Sequence, residues 1–143
     1  MLEIISNSPE ETAAIGEKIS SHLFSGSVTA LRGTLGSGKT CLTKGIALGL
    51  GIKENLTSPT YTIINEYANE GFPPLYHIDA YRLNGEKDFE DIGGLEIINS
   101  GGICVIEWSE RVPDSLPDNT IFISLEITGI DSRKIYIKGI DSL

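Results

Sequence analysis

Gly33-Thr34-Leu35-Gly36-Ser37-Gly38-Lys39-Thr40 fills the pattern G-x-x-x-x-G-K-[ST] at every required position. The apolar run Val28-Thr29-Ala30-Leu31 precedes it and reads as a buried strand. Cys41 to Leu50 follows and reads as a helix. Strand, glycine loop and helix together aim backbone N–H groups and a helix N-terminus at a phosphate chain. The glycines let the backbone close around phosphates where a Cβ would obstruct. Lys39 is placed to reach β- and γ-phosphates, and the Thr40 hydroxyl to ligate Mg²⁺. The stretch therefore predicts a nucleoside triphosphate site. A glycine-rich turn with a chance lysine is the alternative, and the flanking strand and helix argue against it.

The motif lies in a chain of 143 residues, a length that suits one domain with one proper core, here residues 1–143. Hydrophobic residues make up 40%, and no run approaches the ~20 apolar residues that span a membrane. Met1-Leu2-Glu3-Ile4-Ile5 lacks a basic segment and meets Pro9-Glu10-Glu11 soon after, which does not read as a signal peptide. The expected location is cytoplasmic. Cys41, Cys104, His22 and His77 show no short metal-ligand spacing. A helix N-terminus lowers a thiol pKa, so Cys41 is weighed as reactive, with plain packing the better reading for both cysteines. The net charge of −9, from 20 acidic and 11 basic residues, argues against the chain gripping nucleic acid by itself.

Outward from the motif, Leu2 to Ile5 is a short candidate strand. Ser8-Pro9-Glu10-Glu11 opens a helix, with Ser8 as N-cap, Pro9 at the first helical position and Glu11 closing a capping box. Ile15, Ile19 and Leu23 give that helix an apolar face, and Gly16 interrupts the pattern. Tyr61–Tyr67 and Leu75–Ile78 read as strands of an antiparallel hairpin around the turn Asn69-Glu70-Gly71-Phe72-Pro73-Pro74. Gly85 to Asp91 reads as a short helix and Gly102 to Ile106 as a central strand. Ile121–Ile127 and Lys134–Lys138 read as a late hairpin around Gly129. The sum is an α/β fold: a small P-loop NTPase-like three-layer arrangement with a mixed parallel and antiparallel sheet.

A P-loop site needs a carboxylate at the end of a neighbouring strand, to hold Mg²⁺ or its water shell. Asp79 ends Leu75–Ile78 and Glu107 ends Ile103–Ile106. Open α/β sheets bind ligands at the carboxyl ends of strands, so both are expected to face the phosphates. His77 shares a face with Asp79 in a regular strand and reads as a satisfied structural histidine rather than a catalytic base. Thr57-Ser58-Pro59-Thr60 offers three hydroxyls in one short loop, which reads either as a phosphate-sensing switch or as an ordinary loop. Asp91-Ile92-Gly93-Gly94 fits D-x-x-G but follows charged residues instead of an apolar strand. No N-K-x-D sequence is present, so guanine specificity is disfavoured.

The P-loop, then Ser58-Pro59-Thr60-Tyr61, then His77-Ile78-Asp79-Ala80-Tyr81-Arg82-Leu83, then Ile106-Glu107-Trp108-Ser109-Glu110-Arg111 occur in one order. In this the chain resembles the TsaE (YjeE) family, small bacterial ATPases of threonylcarbamoyladenosine modification in tRNA. The resemblance implies ATP and Mg²⁺ as ligands, with Gly36 to Cys41 cradling the phosphates. The nucleotide set is then Gly33, Leu35, Gly36, Ser37, Gly38, Lys39, Thr40 and Cys41, joined by Ser8 near the N-terminus and Thr60 in the switch loop. Thr40 and Glu107 would bind the metal, with Asp79 as the second acidic residue near the metal or the attacking water. Lys39, Asp79 and Glu107 form the catalytic set. The implied partners are TsaB and TsaD, with tRNA met only through that complex. Three positions depart from the family pattern: Thr34 where an acidic residue is usual, Cys41 where a hydroxyl is usual, and Ser109 where proline is common.

Two further readings compete with the ATPase subunit. A small-molecule kinase shares the P-loop but needs an arginine-bearing lid, and Arg82, Arg111 and Arg133 are the only arginines after the motif. A nucleotide-gated binding module needs no turnover at all.

Overall fold

The computed structural model describes residues 1–56 and 63–143. The Thr57–Thr60 loop, with Thr60, and the first two residues of the expected Tyr61–Tyr67 strand lie outside the described residues. Within them, β1 (Leu2–Ser6), α1 (Pro9–Ser20), β2 (Val28–Arg32), α2 (Lys39–Gly49), β3 (Ile64–Tyr67) and β4 (Leu75–Asp79) come first. α3 (Glu86–Asp91), α4 (Gly94–Ile98), β5 (Ile103–Glu107), β6 (Ile121–Ile127) and β7 (Arg133–Lys138) follow. The strands form one sheet in the order β1-β7-β6-β2-β5-β4-β3. β2 lies parallel between β5 and β6, and β4 lies parallel beside β5. The pairs β3–β4 and β6–β7 are antiparallel, as the hairpin readings expected, and β1 adds antiparallel to β7, a pairing the sequence did not indicate. The fold is α/β with a mixed sheet.

Side-chain alternation divides the core into two layers. Leu31, Leu75, Ile103, Val105 and Ile123 join Ile15, Ile19, Leu42 and Ile46 of α1 and α2 on one face. Val28, Ile78, Cys104 and Ile106 pack with Phe89 of α3 and Ile98 of α4 on the other. β5 is buried at all five positions because helices cover both faces, which explains its unbroken apolar run. The same parity decides the site. Along β4 the face that carries Leu75 next carries His77 and Asp79, and along β5 the face that carries Ile103 and Val105 next carries Glu107. All three polar groups therefore emerge on the α1–α2 side, beside the start of α2.

Ser8 caps α1, its Oγ accepting from the Glu11 N–H at 3.0 Å. The Glu11 carboxylate closes the box one residue earlier than expected, on the Asn7 N–H at 2.6 Å. Gly16 proves to be a contact point rather than a flaw in the helix. A Cβ there would strike the Leu42 carbonyl, and one at Gly45 would strike the Ala13 carbonyl, so the two helices meet backbone to backbone. α4 is an element the sequence did not announce: five residues launched from Gly93, whose φ of +85° suits glycine.

Candidate functional site

The β2–α2 turn carries the phosphate-loop sequence. Its last glycine, Gly38, is the N-cap of α2 with φ +103°, a conformation that L side chains rarely adopt. Unlike α1, α2 has no side-chain cap. Its N-terminus opens on a cavity of about 510 Å³ lined by Leu35, Gly36, Ser37, Gly38, Lys39, Thr40 and Cys41. Asp79, Tyr81, Arg82, Glu107 and Trp108 complete the wall. The volume falls in the ~300–1,000 Å³ range of ligand pockets.

Every candidate P-loop residue from Leu35 to Cys41, and both candidate carboxylates, thus reach one cavity. Gly33 and Ser8 do not line it. Gly33 sets the turn behind it, and the Ser8 hydroxyl is committed to capping α1. Cys41 donates its thiol to the Pro9 carbonyl at 3.1 Å, and burial pushes its pKa up, so it packs as a thiol. Burial raises the Cys104 thiol to about 12. The D-x-x-G tetrad, Asp91 to Gly94, runs from the end of α3 into α4 and contributes nothing to the cavity wall.

Lys39 is 6% exposed. Its ammonium donates to the Gly33 carbonyl and stands 3.7 Å from the centroid of the Trp108 ring. Burial lowers its pKa, while Glu107, Glu110 and Asp79 pull it back up. The stack continues outward, with Tyr81 4.9 Å from Trp108 and Arg111 5.4 Å from Tyr81. Trp108 is the one described non-glycine residue with positive φ, at 58°. Such a strained conformation at a site persists only where the surroundings hold it. Here the next residue, Ser109, bonds the Leu31 carbonyl at 3.2 Å, and the Arg111 N–H bonds the Trp108 carbonyl at 3.1 Å.

Asp79 and Glu107 are register partners across β4 and β5. Glu107 is buried and pairs through Oε2 with Nε2 of His77, which is fully buried. Its Nδ1 has no hydrogen-bond partner among the described residues. The histidine touches a candidate metal ligand instead of serving the core alone. Asp79 accepts the Tyr81 N–H at Oδ1 at 2.9 Å. Burial raises the Asp79 pKa; the Tyr81 N–H opposes this and the Glu107 charge adds to it. Arg82, weighed as a transition-state cation or a surface ion-pair partner, is exposed at the cavity wall. It makes no ion pair with another described residue.

The donor set fits a nucleoside triphosphate. The Ser37 hydroxyl is buried in the wall with no partner among the described residues, and an uncapped helix N-terminus and a buried ammonium face the same space. Among the described residues no group of three or more His, Cys, Asp or Glu could hold a metal ion by itself. Mg²⁺ takes one or two carboxylates and completes its shell with waters and substrate phosphates, and Asp79 and Glu107 stand side by side in the cavity wall to offer them.

A family model described as threonylcarbamoyl adenosine biosynthesis protein TsaE matches residues 6–135. The tRNA threonylcarbamoyladenosine biosynthesis protein TsaE of Treponema pallidum (strain Nichols) is 46% identical over 136 residues, covering 95% of this chain and 99% of that protein. The protein of the same name from Bacillus subtilis (strain 168) is 44% identical over 127 residues, covering 89% and 78%. A crystal structure of Bacillus subtilis YdiB superposes with a TM-score of 0.77 at 37% identity, covering 94% of this chain and 82% of that one.

Proposed function

Because the chain belongs to the TsaE family, we propose that it binds ATP with Mg²⁺ and hydrolyses it in the service of threonylcarbamoyladenosine formation on tRNA. The observation that carries the reading is convergence: Lys39, Thr40, Asp79 and Glu107, from three separate elements, line one cavity above an uncapped helix N-terminus.

Residue roles follow from the surroundings. Gly38, Lys39, Thr40 and Cys41 offer backbone N–H groups to the phosphates. Lys39 exchanges the Gly33 carbonyl and the Trp108 ring for the β- and γ-phosphates. Thr40 and Glu107 hold the metal, and His77 fixes the Glu107 carboxylate through Nε2. Bound Mg²⁺ supplies neutralisation of the phosphate charge. Asp79 keeps one oxygen on the Tyr81 N–H and has the other for the attacking water. The Tyr81 N–H fixes the orientation in which that second oxygen is presented. Exposed Arg82 is the cation at the cavity mouth.

The family resemblance names TsaB- and TsaD-like proteins as the partners, with tRNA reached through that assembly. The net charge of −9 supports the indirect route, since tRNA affinity rests on cations that neutralise phosphates. No helix among the described residues is long and apolar enough to cross a membrane. The test is Mg·ATP turnover by the purified chain, alone and with a TsaB–TsaD pair, beside tRNA retention at physiological salt. We expect slow turnover alone, acceleration by the pair, and tRNA retention only in the complex. Fast turnover indifferent to the pair, or tight tRNA binding by the isolated chain, would refute the assignment.

A further inference from the structure

Arg133 opens β7, pinned between Ile127 of β6 and Ser6 of β1. Its guanidinium does not face the main cavity. It stands in a smaller pocket with Pro9, Thr12 and Asp131, which shares Gly36, Gly38 and Cys41 with the main cavity. From there Nε donates to the Ser37 carbonyl at 3.0 Å and Nη2 to the Gly36 carbonyl at 3.1 Å. Nη1 donates to the Ser132 and Gly129 carbonyls of its own hairpin at 2.8 and 3.1 Å, with the Ile130 carbonyl at 3.3 Å. In a chain of net charge −9 this arginine forms no ion pair among the described residues, although Asp131 is two positions away. Its donors are spent on backbone carbonyls.

Peptide geometry makes that placement consequential. In a trans peptide the carbonyl and the following N–H point in opposite directions. Holding the Ser37 carbonyl therefore turns the Gly38 N–H away from the guanidinium, and Gly38 itself lines the main cavity. The Gly36–Ser37 peptide is gripped on both sides, its oxygen by Nη2 and its N–H by the Thr34 carbonyl at 3.0 Å. A cation on the carbonyl side also polarises the peptide, which strengthens the N–H as a donor. Glycine on both sides of Ser37 leaves this backbone few restraints of its own, and Gly36 has φ +79°.

We infer that Arg133 is a positioning residue for phosphate binding: it latches the β6–β7 hairpin to the P-loop and sets the loop's amides before nucleotide arrives. The inference rests on the ATP reading above and adds a residue outside the motif to it. The planar fork matters, because two parallel donors span two carbonyls where a lysine ammonium is a single point.

The experiment uses the full chain and the variants Arg133→Gln and Arg133→Lys. Calorimetry with Mg·ADP and amide hydrogen exchange at residues 36–39 in the nucleotide-free protein are the readouts. Arg133→Gln is expected to weaken Mg·ADP about tenfold or more, to speed exchange at residues 36–39, and to raise KM for ATP more than it lowers kcat. Arg133→Lys is expected to recover only a minor part of the affinity. A glutamine variant that binds as wild type does, or a lysine variant that restores wild-type affinity, would overturn the inference while leaving the ATP reading intact. A wild-type chain without nucleotide affinity would overturn both.

Discussion

Replacing Lys39 by methionine keeps the side chain's length and removes its charge. In the nucleotide-free protein the change forfeits a charge-assisted hydrogen bond to Gly33, worth about 1.5–3 kcal/mol, and a cation–π contact with Trp108, worth about 0.5–2 kcal/mol. It also removes the cost of keeping an ammonium 6% exposed, a cost visible in the pKa that burial lowers. These contributions oppose one another, and a thioether packs well against an indole. Stability without nucleotide should therefore move by no more than about 1 kcal/mol. With nucleotide nothing compensates. On the proposed function the ammonium trades its carbonyl partner for charged phosphate oxygens, so the expected loss is about 1.5–3 kcal/mol, or roughly 10- to 150-fold in affinity. Calorimetry with Mg·ATP and thermal unfolding without nucleotide measure the two halves. The pH dependence gives a third reading. Wild-type affinity should fall as pH rises into a lysine range set lower than usual by burial, and Lys39→Met should lose that dependence. An affinity within about twofold of wild type would refute the placement of Lys39 on the phosphates, and a collapse in stability would recast it as structural.

Asp79→Asn should abolish hydrolysis and yet raise the thermal midpoint of the nucleotide-free protein at pH 7. A carboxyl whose folded pKa lies above its unfolded value of 3.8 favours the folded state when protonated. Its ionised form therefore costs stability as pH rises through that window, and the gain from asparagine should fade below it; unfolding scans across pH decide this. Gly45→Ala forces a Cβ into the Ala13 backbone. Better helix propensity offsets only part of that clash, so the midpoint should drop by roughly 5–10 °C, and a rise by differential scanning would contradict the close α1–α2 approach.

The phosphate loop, its strand and helix, the two hairpins and the two carboxylates were legible because each rests on local pattern. Gly33 to Thr40 is a contiguous motif, and Asp79 and Glu107 each end an apolar run. Cys41 was also placed, as packing rather than nucleophile. What escaped depends on partners far along the chain. Nothing adjacent to Arg133 signals that Gly36 and Ser37 will accept its protons. The His77–Glu107 pair appears only once β4 and β5 lie side by side in register. The left-handed turn at Trp108 has no glycine to announce it. α4 is too short for a periodic signal, and Gly16 looked like a weakness because the helix that needs its missing Cβ begins more than twenty residues later.

The position of β2 bears on how the protein is made. The strand that launches the phosphate loop pairs with β5 on one side and β6 on the other, so Thr29 meets Val105 and Ile121. Hairpins such as β3–β4 close short loops and can form early, whereas these pairings must first overcome the entropy of long ones. A chain emerging N-terminus first has its P-loop sequence exposed well before the strands that shape it exist. On the proposed function nucleotide needs the assembled loop, and by mass action it stabilises the sheet as a whole instead of protecting the loop alone.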